Sequence, residues 1–273
     1  MLELFSYTFF NHALIAALLG SITCGIIGTY VVTRRLVFIA GGITHASFGG
    51  LGMGFFLGFN PLIGAGIFAA VVASAVEAIS SRNKIREDSA IAMAWSFGMA
   101  LGIIFIFLSP GYAPNLMSYL FGSILTVNHI DLWLMLSLAL LVIVIFTVFF
   151  NDIQFISFDE EFARIGGTPV KSIKYLLIVL VALTSVLYIK VAGIILVLSL
   201  LTIPQNMAML FSRKLKGIII LSIIFGMIGS VTGLLISYFL DIPSGASIIF
   251  SLVILFVIAF LFQRIRLNLA RKS

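Results

Sequence analysis

The sequence predicts an all-α fold, a polytopic membrane helix bundle of about nine transmembrane helices with its N-terminus outside and its C-terminus cytoplasmic. Two observations carry this expectation. Hydrophobic residues make up 62% of the chain and charged residues 10%, with a mean hydropathy of +1.24, so most of its solvent is lipid. Fifteen of the sixteen basic residues fall in five short segments separated by long apolar runs. These are Arg34 and Arg35; Arg82, Lys84 and Arg86; Arg164, Lys171 and Lys174; Arg213, Lys214 and Lys216; and Arg264, Arg266, Arg271 and Lys272. The positive-inside rule makes all five cytoplasmic. Lys190 is the exception, and its aliphatic stem lets it snorkel at the outer interface.

A helix needs about 20 residues to cross the bilayer, and each gap between neighbouring cytoplasmic segments must hold an even number of crossings. One span precedes Arg34. Residues 36–80 hold two spans turning at Asn60 and Pro61. Residues 89–150 hold two more, joined by an outer segment with Pro110, Gly111 and Pro114. Residues 175–211 make two short spans turning near Lys190, and residues 218–262 make two turning at Asp241, Pro243 and Gly245. Eight spans is the alternative, if the first segment lies in the interface or a later run stops short. Glu3 and the missing basic n-region argue against a cleaved signal peptide. Apolar runs of this length exclude a β-barrel, whose strands alternate over about 10 residues. No internal repeat marks an inverted-repeat architecture.

The net charge of +6 sits in loops too short to form a nucleic-acid-binding face. The single cysteine, Cys24, lies inside the first apolar run, which leaves no internal disulfide framework and points to buried packing. The chain has no G-x-x-x-x-G-K-[ST] to cradle a nucleotide and no H-E-x-x-H to hold a proteolytic zinc. Hydrolytic chemistry is not encoded, so work such as transport draws on a partner or an ion gradient.

The longest inner loop, Asn151 to Lys174, holds four of the ten acidic residues. Asp159 can cap a short helix carrying Glu160 and Glu161 in its first turn, ended by Gly166 and Gly167 and closed off by Pro169. Phe158, Phe162 and Ile165 share one face of it. That face either docks another protein or packs on the ends of its own spans.

In the second span, Gly42, Ala46, Gly50, Gly54 and Gly58 recur every four residues, a small-residue ridge that lets another helix approach closely. His45 stands beside it, on a row with Gly41 and Gly49, and is the one ionisable residue clearly deep in a span. It is either a metal ligand or a histidine hydrogen-bonded to a neighbouring helix. Asp88 and Glu87 open the fourth span, where the helix dipole favours them. Pro204 interrupts an apolar helix, and Gln205 and Asn206 follow it. Freed backbone groups and amides there line a polar cavity or mark a kinked packing helix.

Five stretches, TYVVTRRLVFIAGGITHASFGG (29–50), SYLFGSIL (118–125), FDEEFARIGG (158–167), GIILVLSLLTIPQNMA (193–208) and DIPSGASII (241–249), resemble in this order the membrane permease of bacterial ABC importers for zinc and manganese, the metal-chelate permease family. The resemblance itself extends over nearly the whole chain. The resemblance implies one permease domain over residues 1–273, with a coupling loop at 151–174, in the bacterial plasma membrane. It implies a homodimer with a path along its two-fold axis, a separate cytoplasmic ABC ATPase dimer that uses ATP, and an extracytoplasmic metal-binding protein. No cofactor is bound tightly, and the cargo is a divalent ion, zinc first and manganese next. Residues 158–167 look like the family's coupling helix, which gives Phe158, Asp159, Glu160, Glu161, Phe162, Ala163, Arg164 and Gly166 to ATPase coupling. His45 matches a histidine associated with the metal path. Many relatives carry an aspartate four residues earlier, where this chain has Gly41, so an i,i+4 carboxylate partner is missing. Asp88 corresponds to an acidic position common in relatives at the start of its span, which makes it a second metal candidate beside His45. Pro204, Gln205 and Asn206 are candidates for the path or its gate. Iron or a chelate remains open as cargo. So do an ion-coupled secondary transporter, whose deep carboxylates are missing here, and a scaffold that moves nothing.

Overall fold

The computed structural model describes residues 7–80, 86–109, 122 and 124–270. Glu3, Arg82, Lys84, Pro110, Gly111, Pro114, most of SYLFGSIL, Arg271 and Lys272 lie outside the described residues, as do the side chains of Glu77 and Glu87. Eleven α-helices are described: α1 (Thr8–Thr33), α2 (Val37–Leu57), α3 (Pro61–Ser80), α4 (Glu87–Leu108), α5 (His129–Val148), α6 (Phe150–Phe158), α7 (Glu160–Ile165), α8 (Val170–Leu200), α9 (Ile203–Phe211), α10 (Leu215–Leu240) and α11 (Ser244–Ala270). A 3-10 turn at Ile124–Thr126 precedes α5.

Local chemistry sets the ends of these helices. Gly58 (φ 75°) and Asp241 (φ 52°) end α2 and α10 in the left-handed region, which glycine enters freely and aspartate tolerates. Asn60 accepts from the Leu62 amide at 2.9 Å as α3 opens at Pro61. Asn128 caps α5 in a capping box with Asp131, so His129 is the first helical residue and not a cap. The loop expected at 151–174 is mostly helix. A turn at Phe149 separates α5 from α6, which buries Ile153 and Ile156.

Six of the described helices are long and apolar enough to cross a membrane, fewer than the nine expected. Three causes account for the difference. α2, with its six glycines, Thr44, His45 and Ser47, is not among the six. The apolar stretch described in α3 is the shorter Pro61–Val76. Residues Val170–Phe211 form one 42-residue apolar stretch where two short spans were expected.

That stretch is not a single rod, because Gly193 within it has φ 76° and ψ 163°. Neighbouring residues trace the reversal. Ile178 lines a small cavity with Ile39, Gly42 and Ile91, Val186 lies near Gly66, and Lys190 pairs with Asp131 at 2.6 Å. Beyond the break, Leu198 lies beside Gly41 and Gln205 beside Gly28. The chain therefore runs to the Asp131 end of the bundle and returns toward the Arg34 end. Gly122 (φ 67°) packs on the break, where a Cβ would collide with the Ala192 carbonyl.

Lipid gives helices no lateral hydrophobic drive, so they associate by close packing of small residues. The α2 helix is wedged between α3 and α4 in this way. A Cβ on Gly50 would collide with the Gly64 backbone, one on Gly42 with Ile91, and one on Gly98 with the Ala46 carbonyl, while Gly54 lies on Pro61. Gly229 and Gly233 seat Leu252 and Ile248 of α11 on α10 by the same means.

The return arm needs a second device. Pro204 has no N–H, so the Leu200 carbonyl loses its i+4 donor. Gln205, fully buried, replaces it: Nε2 donates to the Leu200 carbonyl at 3.0 Å and to the Cys24 carbonyl of α1 at 2.8 Å. Gly28 leaves the room for the amide. Replacing Gln205 with leucine is expected to lower stability by about 1–3 kcal/mol, because the Leu200 carbonyl is left buried without a partner. Thermal unfolding of the purified protein in detergent measures it, and a wild-type midpoint would show that the amide does not hold the break.

Candidate functional site

His45 projects from α2 onto Trp95 of α4, ring on ring, with centroids 4.0 Å apart and planes 11° from parallel. Phe38, one face of α2 earlier, leans on the same indole at 6.4 Å. The imidazole is half-buried, and its Nδ1 is buried without a hydrogen-bond partner among the described residues. Nearby hydroxyls do not serve it, since Thr44 donates to the Ala40 carbonyl and Ser47 to the Thr44 carbonyl, each at 2.6 Å. Gly41, one turn earlier, faces Leu198 of the return arm at ordinary contact distance. The ridge residues Gly42, Ala46, Gly50 and Gly54 turn toward α3 and α4 and serve packing.

Asp88 is not brought together with His45. It stands at the exposed start of α4, bonded to Arg86 at 3.0 and 3.3 Å and to the Ser89 amide at 2.8 Å. Seven residues separate it from Trp95, about 10 Å along the helix. Among the described residues no three of His, Cys, Asp and Glu gather to hold a metal. Among the described residues the His45 site thus offers one imidazole, and a metal there would draw its other ligands from water or from a second chain.

Gln205 is committed to holding the break, and Asn206, exposed, donates to the Thr202 carbonyl at 2.8 Å. Pro204 is buried at the start of α9. Of the two sequence readings of this stretch, the kinked packing helix describes Gln205.

The short helix α7 is built as its sequence directs. Asp159 caps it, accepting from the Phe162 amide at 2.9 Å, and Gly166 and Gly167 (φ 84°) end it. Two of its residues turn inward. Ala163 is 1% exposed, and Glu160 meets Arg34 of α1 at 2.6 Å, Lys174 of α8 at 3.2 Å and Arg164 at 3.5 Å. Arg34 also donates to the Ile156 carbonyl at 3.0 Å, fastening the end of α6. Burial pushes the Glu160 carboxyl up, but the hydrogen bonds and charges of Lys174 and Arg34 outweigh it and hold the group below the usual carboxylate range. The clamp's contribution is therefore complete at neutral pH and is lost as pH falls through that lowered value.

The opposite face is open. Phe158 and Phe162 are each 60% exposed and Ile165 88%, and Phe155 of α6 adds an edge-to-face contact with Phe162 at 5.9 Å. The described spans do not cover this face. Glu161 and Arg164 flank it in solvent. Sequence spacing found the face but missed Phe155, which lies three residues before Phe158, and missed Arg34 and Lys174 as the partners of Glu160. Trp95 was also missed, since nothing local in the sequence ties it to His45.

Known proteins place this architecture. The profile of the ABC 3 transport family matches residues 6–263. The manganese transport system membrane protein MntC of Halalkalibacterium halodurans is 35% identical over 96% of this chain and 89% of its own length. The manganese import system permease protein ScaB of Streptococcus gordonii is 32% identical over 98% of this chain and 96% of its own. The solved structure of PsaBC from Streptococcus pneumoniae in complex with Fab contains a chain that superposes with a TM-score of 0.85, at 33% identity, covering 93% of this chain and 91% of that one. The chain belongs to the ABC 3 transport family, and is a multi-pass, non-catalytic membrane permease.

Proposed function

We propose that this permease carries a divalent metal ion into the bacterial cytoplasm, manganese first and zinc second, by alternating access driven by a separate ABC ATPase. The observation that carries the reading is the His45 imidazole, deep in α2 with its Nδ1 unpartnered among the described residues, one turn from the Gly41 that faces the return arm. A site used in transit has to release its ion, and one imidazole per chain binds weakly. A lone imidazole does not choose between the two metals; the names of the manganese-transporting relatives put manganese ahead of the zinc favoured by the sequence. The cargo is a substrate, and no tightly bound cofactor enters.

In this reading the whole chain is one permease domain, with the loop 151–174 as its coupling element. Two copies pair so that their His45 side chains face a common path on the two-fold axis, which supplies the ligands that one chain lacks. An extracytoplasmic metal-binding protein feeds the path. The crossings are nine, α1 to α5, the two arms of residues 170–211, α10 and α11, with the N-terminus outside. The breaks at Gly193 and Pro204 make the return arm the part that shifts between outward- and inward-open states. The ATPase dimer docks on the open face of Phe158, Phe162 and Ile165. Glu160 and Ala163 act from behind that face.

Two experiments test this. In vesicles containing the permease, its ATPase and its binding protein, ATP-driven manganese accumulation measured by elemental analysis is expected to fall by about tenfold or more in His45→Ala, the loss of one ligand's worth of stabilisation. Undiminished uptake would remove His45 from the path. Phe162→Asp puts a charge on the docking face while leaving the buried side of α7 intact, so co-purification of the ATPase is expected to be lost from a folded permease dimer. Normal co-purification would refute the docking face.

A further inference from the structure

Between the ends of α9 and α11 lies a cavity of about 680 Å³, within the size range of small-molecule sites. Phe211, Phe260 and Leu267 form its apolar wall, and Arg213, Gln263 and Arg264 give it polar groups. Neither arginine belongs to an ion pair among the described residues. The sequence also leaves them without an acidic neighbour on these helices. Between Glu161 and the last residue the one acidic side chain is Asp241, which ends α10 at the far side of the bundle. Gln263 lines the cavity with a buried side-chain oxygen that has no partner among the described residues.

Two uncompensated guanidinium groups call for an anion, and arginine's planar fork suits phosphate. The apolar wall says what the phosphate is attached to. Phe260 and Leu267 are 46% and 54% exposed, and the apolar surface of α11 continues past them through Leu261 and Ile265. The nine-residue α9, which ends the apolar stretch 170–211, and the long apolar α11 meet here at the end that carries Arg34 and Lys174, the level at which hydrocarbon gives way to headgroups. Basic pockets between spans on a cytoplasmic face take acidic headgroups.

We propose that the cavity holds one anionic phospholipid, with its phosphate between Arg213 and Arg264, its glycerol on the Gln263 amide, and one acyl chain along Phe260 and Leu267. The amide donates or accepts after a half-turn, so it serves either a phosphate oxygen or a glycerol hydroxyl. The lipid braces the end of the return arm against α11. The site is separate from His45 and from the α7 face, and stands whether or not the cargo is a metal.

The test is native mass spectrometry of the full-length permease, alone and with its ATPase, after exposure to phosphatidylglycerol or phosphatidylcholine in detergent. Wild type is expected to retain one phosphatidylglycerol per permease chain in preference to phosphatidylcholine. Arg213→Gln with Arg264→Gln should lower that retention by about tenfold or more, and Lys171→Gln, at the start of α8 and outside the cavity, should not. Gln263→Ala keeps both charges and should weaken retention while the lipid-free protein melts as wild type does, which separates a lost ligand from a damaged fold. Equal retention by wild type and the double variant overturns the proposal. So does displacement of the lipid by an equal concentration of inorganic phosphate, which would make the site one for the free ion. Loss of the ATPase in place of the lipid overturns it too, and would give the two arginines to a protein partner.

Discussion

Glu160 is the carboxylate on which the orientation of the whole inter-span island depends. Its two oxygens are shared by Arg34 from α1, Lys174 from α8 and Arg164 from its own helix. With Glu160 and Ala163 turned inward, Phe162 and Ile165 on the other side of the six-residue α7 turn out, and with Phe158 at the end of α6 they form the open face. From the clamp a continuous set of contacts leads into the membrane. Arg34 ends α1, the Cys24 carbonyl of α1 receives the Gln205 amide, and the arm that Gln205 holds carries Leu198 against Gly41, one turn from His45. Joined contacts between two arrangements are what a switch requires.

The rest of the bundle obeys a constraint set by lipid, in which backbone groups have to be satisfied from within and helices gain by close approach alone. Glycines meet that demand where α2 presses into α3 and α4. The return arm meets it differently: the chain breaks at Gly193, where glycine adopts a backbone that other residues avoid, and again at Pro204, where a glutamine stands in for the missing amide. Both breaks fall in one of the stretches that resemble the permease family, so the irregular backbone and the family motif are the same feature of the chain.

Much of this was legible in local signals. Asp159, Gly166, Gly167 and Pro169 announced α7, and its three-residue spacing announced the apolar face. Asn60, Pro61 and Asp241 marked turns, and Lys190 came within three residues of the true break at Gly193. What sequence could not supply was partnership at a distance. Arg34 meets Glu160 across 126 residues, Gln205 meets Cys24 across 181, and the stack of Trp95 on His45 joins two spans with no shared motif. Spacing alone left Gln205 between a polar cavity and a kinked packing helix, because it shows which residues share a side and not which side faces in. The nine expected crossings stand beside six long apolar helices among the described residues, because Val170–Phe211 joins two arms and α2 and the shorter described stretch of α3 are not among the six.

The most direct measurement of the clamp's role is manganese imported per ATP hydrolysed by the reconstituted transporter carrying Glu160→Gln, Arg34→Gln or both. The clamp predicts that the complex still assembles through its untouched phenylalanine face. Each single variant should then lose about tenfold in metal moved per ATP, and the pair should be no worse than either alone, as for two residues acting through one interaction. Wild-type stoichiometry in both single variants would contradict it, and would mean that the bundle switches without Glu160.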